Sequence, residues 1–308
     1  MLDSRIVEIS SPAPQCEPLT LTRKLQECPV ANATLREWQN EILRSASPEC
    51  ESACSKRDDV ELVMRADAWI SSQIAAKVLQ SARVPAVVRN SDGIALAWLA
   101  ESTQTPPSED AVTFTCDERS FLIRYPWDLL RLNEQLLADL PSEDIRGEVS
   151  EHAEREGRLI LGEGSRILPG VFIEGNVMIG RNCKIGPNCY IRGKTAIGDG
   201  CRVGQAVEVK NSLLMDGATL GHLSYCGDSI IGENANFGAG TIVANLRHDG
   251  GTHRSLVGEA LVDTERRKFG TVVGDEVHTG IHTSIYPGRK IWPHKATEPA
   301  QIVQKDIR

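Results

Sequence analysis

Aromatic side chains are scarce in this chain, at 5% of 308 residues, and no apolar run approaches the roughly 20 residues that a membrane-spanning helix needs. Positive charge is also in deficit: 34 Lys+Arg stand against 42 Asp+Glu, a formal charge of -8. That balance excludes a binder working through broad phosphate neutralisation, so nucleic acid is not the expected partner, and neither is a membrane. The opening MLDSRIVEISSPAP lacks the basic and apolar regions of an export signal. Nine cysteines, an odd number, then fit a reduced cytosol better than a disulfide framework. What is abundant is glycine, at 26 residues, in a chain that is 41% hydrophobic and 25% charged. These values describe a soluble globular protein whose length suggests two domains.

Glycine and small aliphatic residues fall into a repeat. Every sixth residue from Leu161 reads Leu161, Ile167, Ile173, Ile179, Ile185, Ile191, Ile197, Val203, Val209 and Met215. Glycine often follows, as at Gly162, Gly180, Gly186, Gly198 and Gly204. A second column, four places on, holds small or medium side chains, among them Cys183, Cys189 and Cys201, which read as core packing. A period of six suits neither an amphipathic helix nor a hairpin ladder. It suits a solenoid in which each hexad is a short strand and a turn. The phase slips near Gly221–Ile230 and resumes at Ile231 and Phe237. It is absent from 245–270, which reads as a projecting loop, and returns at Val273, Thr279, Ile285 and Ile291.

Residues 1–146 lack this period. Asp59–Met64, Pro85–Arg89, Ile94–Leu99 and Phe121–Ile123 read as strands, and Ala31–Arg44 and Ser72–Ser81 as helices, which together favour an α/β layer. Tyr125-Pro126-Trp127-Asp128 opens a further helix of about three turns, and the domain boundary is expected after it, at Pro141–Gly147. Cys50 and Cys54 have metal-pair spacing but no second pair nearby.

The stretch Pro18-Leu-Thr-Leu-Thr-Arg-Lys-Leu-Gln-Glu-Cys-Pro-Val-Ala-Asn32 resembles the opening of sugar-1-phosphate nucleotidyltransferases, and Leu62–Asp67 resembles the strand that carries their metal-binding aspartate. The glycine-rich loop that should precede Pro18 is missing, and Leu25 stands in the place of the signature lysine. Glycine-freed backbone N–H groups and a lysine are what hold a nucleotide's phosphates. This half therefore reads as a degenerate nucleotidyltransferase-like domain, with Mg2+ at Asp67 only if activity survives.

Residues 161–292 resemble the acetyltransferase half of GlmU-like bifunctional sugar-1-phosphate nucleotidyltransferase–acetyltransferases, above all the archaeal type. Three motifs carry the likeness: Val207-Glu-Val-Lys-Asn-Ser, Gly221-His-Leu-Ser-Tyr-Cys-Gly-Asp228, and Asn234-Ala-Asn-Phe-Gly-Ala-Gly-Thr-Ile-Val-Ala-Asn245. The expected architecture is thus a truncated α/β nucleotidyltransferase-like domain with a linker helix (1–146), followed by a left-handed parallel β-helix (147–308).

The family joins a sugar amine to the acetyl group of acetyl-CoA, and the amine must shed a proton, a task suited to an imidazole. The resemblance implies His222 as the general base, with Glu208 placed to orient or polarise it. It implies Arg192 and Lys210 on the sugar's phosphate, and Tyr225, Asn236 and Asn245 on the sugar. The two asparagines equally suit turn backbones. Acetyl-CoA is the implied co-substrate, with Ala239, Arg266, Arg267, Lys268, Arg289 and Lys290 on its side, and a homotrimer is the implied assembly. The family's serine contact to the acyl donor is here Ile281. His278 and His282 lack the third imidazole that a catalytic zinc would need, so no metal is expected there.

The activity expected is N-acetylation of an amino-sugar 1-phosphate, most simply glucosamine 1-phosphate. The alternatives are a surviving UDP- or dTDP-sugar pyrophosphorylase and a non-catalytic sugar-phosphate-binding or regulatory homologue.

Overall fold

The computed structural model describes residues 3–7, 16–45, 60–81, 84–101 and 110–308. Cys50, Cys54, Asp59 and most of the segment in place of the glycine loop lie outside these residues. The chain forms two compact units, one mainly of residues 33–124 and one of 14–24, 28–32 and 125–308.

The first unit is the α/β layer read from the sequence. Its five-stranded sheet runs in the order Asp3–Val7, Val60–Arg65, Ala95–Glu101, Ala86–Arg89, Val112–Thr115. Helices α1 (Leu35–Ser45) and α2 (Ser72–Leu79) bury Leu43, Ile74 and Val78 against Leu62, Met64, Val88 and Leu99 of the sheet. Helix α1 starts at Leu35, four residues later than expected, because Thr34 and Glu37 form a capping box. The Thr34 N–H donates to Glu37 Oε2 at 2.7 Å, and the Glu37 N–H donates to Thr34 Oγ1 at 3.2 Å.

The second unit is a three-sided parallel β-helix. Its strands stack into three sheets of eight, six and eight strands, called here face 1, face 2 and face 3 in the order the chain visits them. Face 1 runs from Asp144–Ile145 to Arg289–Ile291, face 2 from Glu148–Val149 to Asn236–Phe237, and face 3 from Glu154–Glu156 to Ile302–Val303. Register partners lie one coil apart, as in Phe172↔Tyr190↔Glu208 on face 3. The aliphatic column points inward and forms one continuous core with the small-residue column, including Cys183, Cys189 and Cys201.

The repeat loses phase earlier than the sequence pattern indicates. The inward residue after Val209 is Leu214, not Met215, and the one after Cys226 is Ile231. Two corners between face 3 and face 1 are therefore one residue short. Met215 is still buried, but its sulfur meets Arg23 at 3.1 Å.

Face 1 is apolar on its outer side as well. Ala196, Leu213, Ile230 and Val272 alternate with inward residues yet are buried. Helix α3 (Pro126–Ala138) lies against the strand Thr195–Ile197, so this helix, expected as a linker closing the first half, belongs to the β-helix unit. Its Asn133 accepts the Ala31 N–H at 3.0 Å and donates to the Lys194 carbonyl at 3.1 Å. The retained nucleotidyltransferase-like signature is put to the same structural use. Thr22 Oγ1 donates to Asp275 at 2.5 Å, Arg23 pairs with Asp275 and with Glu233 (2.9 Å), and Asn32 donates to the Ile197 carbonyl at 2.8 Å.

The projecting segment 245–270 is more ordered than a loop: Arg254–Val257 and Ala260–Asp263 pair as an antiparallel hairpin. Lys290 helps pin it. The expectation that Lys290 would meet a coenzyme phosphate is overturned, because the residue is 2% exposed and its amine donates to the Leu256 carbonyl at 2.8 Å, beside the Trp127 ring. Burial pulls this amine down to about 8, against the opposing pull of Asp306. The folded value lies below the ordinary value of about 10.4, so the fold bears the cost of a buried charge below pH 8 and is relieved of it between about pH 8 and 10.4. Lys290→Met should remove that dependence. The difference in Tm between wild type and variant is expected to move in favour of wild type from pH 7.5 to 10; a constant difference would contradict the assignment.

Candidate functional site

The outer side of face 3 carries two columns of side chains. One runs Phe172, Tyr190, Glu208, Tyr225, Ile242; the other runs Glu174, Arg192, Lys210, Gly227. Stacking at about 4.8 Å per coil brings Arg192, Glu208, Lys210 and Tyr225 together from 34 residues of sequence. Arg192 Nε lies 2.8 Å from Glu208 Oε1, and its guanidinium rests over the Tyr190 ring. Glu208 is thus engaged by Arg192, and among the described residues no hydrogen bond joins it to His222.

At the shortened corners, Asn211 and Asp228 take left-handed backbone conformations, with φ of 47° and 51°. This sets their side chains together, and the buried Asp228 becomes a hub. Its Oδ2 accepts Lys210 Nζ at 2.8 Å and Asn245 Nδ2 at 2.6 Å, and its Oδ1 accepts Asn211 Nδ2 at 3.0 Å. Asn245 Nδ2 also lies 2.9 Å from the Tyr225 hydroxyl oxygen. Burial first, then Asp228 and Glu208, push the Tyr225 hydroxyl above its ordinary value, so it stays protonated and can donate to a ligand. Gly227 leaves the room this requires: a Cβ there would sit 2.4 Å from the Tyr225 hydroxyl and 2.6 Å from Asn245 Nδ2. The Asn245 backbone is held too, its carbonyl accepting the Phe269 N–H and facing His253 Nε2, both at 3.0 Å.

His222 stands at the other edge of face 3, where face 2 turns into it. The Gly240 N–H donates to the His222 carbonyl at 3.0 Å and the His282 N–H to the Ala239 carbonyl at 2.8 Å, so His222, Ala239 and Ile281 occupy equivalent corner positions on successive coils. His222 is exposed, as are Leu223 and Ile281 beside it. Asn236 is not brought to the hub. It lies on the outer side of face 2, paired with Thr219 and bridged to His278.

The expected coenzyme contacts divide. Ala239 shares the His222 edge, whereas 266–268, Arg289 and Lys290 lie at the opposite corner, around the hairpin. Arg266 is committed to Glu134 of α3 and Arg289 donates to the Arg254 carbonyl at 3.0 Å, while Arg267 and Lys268 remain exposed. Sequence reasoning missed Asp228, Asn211 and Glu134. The available signal was the five-residue spacing from Val209 to Leu214 and from Cys226 to Ile231, which marks both corners.

The residues at Asp67 do not fit a magnesium site. Both carboxylate oxygens are taken by Arg65, each at 2.8 Å. Among the described residues no group of three or more His, Cys, Asp or Glu converges, and no helix is long and apolar enough to cross a membrane.

Residues 173–307 match the family of the GMPPB C-terminal domain. The chain is 39% identical over 182 residues to a bifunctional sugar-1-phosphate nucleotidylyltransferase/acetyltransferase of Sulfurisphaera tokodaii, covering 59% of this chain and 45% of that protein. It is 45% identical over 186 residues to the bifunctional protein GlmU of Methanococcus maripaludis, covering 60% and 44%. The chain spans less than half the length of these relatives. Among solved structures, the N-acyltransferase AntD of Bacillus cereus, in complex with dTDP-4-amino-4,6-dideoxyglucose and coenzyme A, aligns at 17% identity and a TM-score of 0.28, over 50% of this chain and 75% of that one. Over about 60% of its length the chain is thus similar in sequence to these GlmU and nucleotidylyltransferase/acetyltransferase proteins.

Proposed function

We propose that the protein transfers the acetyl group of acetyl-CoA to the amine of an amino-sugar 1-phosphate, with glucosamine 1-phosphate as the simplest acceptor. The observation that carries this reading is the arrangement of face 3. An exposed imidazole stands at one edge, and a tyrosine hydroxyl and two cations stand across three-residue strands from it. Such strands are about 10 Å long, the span of a sugar with its phosphate.

His222 takes the proton from the sugar amine as nitrogen attacks the thioester carbon. The C–N bond forms, the C–S bond breaks, and the proton passes to the departing thiolate as CoA–SH. Tyr225 and Asn245 hold sugar hydroxyls, and Arg192 and Lys210 hold the phosphate. Each cation already faces a carboxylate, so the phosphate shares them with Glu208 and Asp228. Arg192, whose side chain is 34% exposed against 14% for Lys210, is the freer of the two to turn toward a ligand.

We further propose a homotrimer, in which a neighbouring copy completes the coenzyme site at the exposed His222–Ile281 edge. Nucleotidyl transfer is not proposed, since the glycine loop is missing and Asp67 is clamped by Arg65.

The direct test is thiol release from acetyl-CoA with glucosamine 1-phosphate and galactosamine 1-phosphate as acceptors. Release that requires the amino sugar supports the proposal, and its absence in well-folded protein refutes it. Arg192→Ala is expected to raise the acceptor KM about tenfold with little change in kcat, because a grip held throughout the reaction is uniform binding. A loss confined to kcat would remove Arg192 from the phosphate.

A further inference from the structure

We infer that Glu134, on helix α3, is a positioning residue for the acceptor side of the site, an inference that rests on the acetyl-transfer reading above. Helix α3 lies outside the hexad repeat and against face 1, yet Glu134 reaches the corner where the hub sits. Its Oε1 accepts Asn211 Nδ2 at 2.6 Å, and its carboxylate pairs with Arg266. Asn211 Nδ2 also donates to Asp228 Oδ1 at 3.0 Å, so one amide NH2 bridges two carboxylates and both of its hydrogens are spent. The orientation of Asp228 then decides where its Oδ2 meets Lys210 and Asn245, and through Asn245 where the Tyr225 hydroxyl stands. The chain Arg266–Glu134–Asn211–Asp228–Asn245–Tyr225 is unbroken.

Both ends matter to this role. Without Glu134, Arg266 loses its partner carboxylate, and Asn211 loses the oxygen that holds one of its two amide hydrogens. An Asn211 amide held at one hydrogen only can turn, and Asp228 Oδ1 then loses the fixed donor that sets how its other oxygen meets Lys210 and Asn245. The acceptor's contacts are disturbed while the His222–Ala239 edge, across face 3, is left as it was. The consequence is therefore asymmetric between the two substrates.

The test compares Glu134→Ala and Glu134→Gln with wild type in steady-state thiol release and in calorimetric titration with glucosamine 1-phosphate alone. Glu134→Ala is expected to raise the acceptor KM and Kd about tenfold, with kcat within about twofold and the acetyl-CoA KM unchanged. Glu134→Gln keeps an oxygen for Asn211 and should restore acceptor affinity to within about threefold of wild type. Wild-type affinity in Glu134→Ala, equal losses for both substrates, or a glutamine variant no better than alanine would each overturn the inference. A wild type that binds the sugar phosphate but releases no thiol refutes acetyl transfer, and Glu134 is then judged on Kd alone. A wild type that binds nothing overturns both.

Discussion

Exchange of His222 for alanine is expected to slow acetyl transfer by about 10²- to 10⁴-fold, the range for removal of a general base. The expected size follows from where the imidazole sits. It is exposed at the corner between face 2 and face 3, on the coil that also carries Tyr225, and no other histidine lies on that coil. His282, the neighbour along the edge, sits in a left-handed turn with its ring over Gly240, two coils along from His222. The measurement is thiol release under saturating acetyl-CoA, with protein folding checked by circular dichroism. An unchanged rate would remove His222 from the mechanism. Because Glu208 is bound by Arg192, Glu208→Gln should act through the phosphate side and cost far less in kcat than His222→Ala.

Asp228→Ala is expected to have the largest effect on stability, about 3–5 kcal/mol, the cost of leaving one member of a buried ion pair without its partner. Lys210 and Asp228 have side chains only 14% and 4% exposed, so the orphaned ammonium cannot be rehydrated without moving the corner. The same substitution releases Asn211 and Asn245, so acceptor binding should fall beyond what instability explains. Urea unfolding of wild type and variant measures the first effect, and titration with glucosamine 1-phosphate measures the second. Asp228→Asn, which keeps the shape and one acceptor oxygen, should lose less stability. A variant of Asp228→Ala with a wild-type unfolding midpoint would show that the pair is not structural.

The Asp228 hub also shows why a repeat can be read in sequence while a site cannot. A solenoid writes its fold into one period: every sixth residue must face the core, so Ile173, Ile179, Ile185 and Ile191 can be read without knowing any contact. His222, Lys210 and Tyr225 could be singled out because they stand in motifs with fixed spacing. Asp228 stands in the same motif but carries no such signal, since its partners come from the coil before it (Lys210 and Asn211) and from Asn245 on the coil after it. Met215 falls one position off the inward column for a related reason. A shortened corner keeps an apolar residue in both phases, and only the register Ala196↔Leu213 tells them apart.

The amino-acid sequence by itself determined the β-helix, its hexad columns, the interrupted phase and the loss of the glycine loop, because each is a local or periodic property of the chain. The tertiary structure alone decided the roles of the groups with long-range partners. Lys290 and Arg266 look like free cations in sequence, but one is buried beneath the hairpin and the other is held by Glu134. The segment Pro18–Lys24 looks like a remnant of a phosphate site, but Thr22 and Arg23 brace the solenoid through Asp275, some 250 residues away. A charged side chain's function depends on which opposite charge it meets, and that pairing is set by how coils, helix α3 and hairpin stack in space.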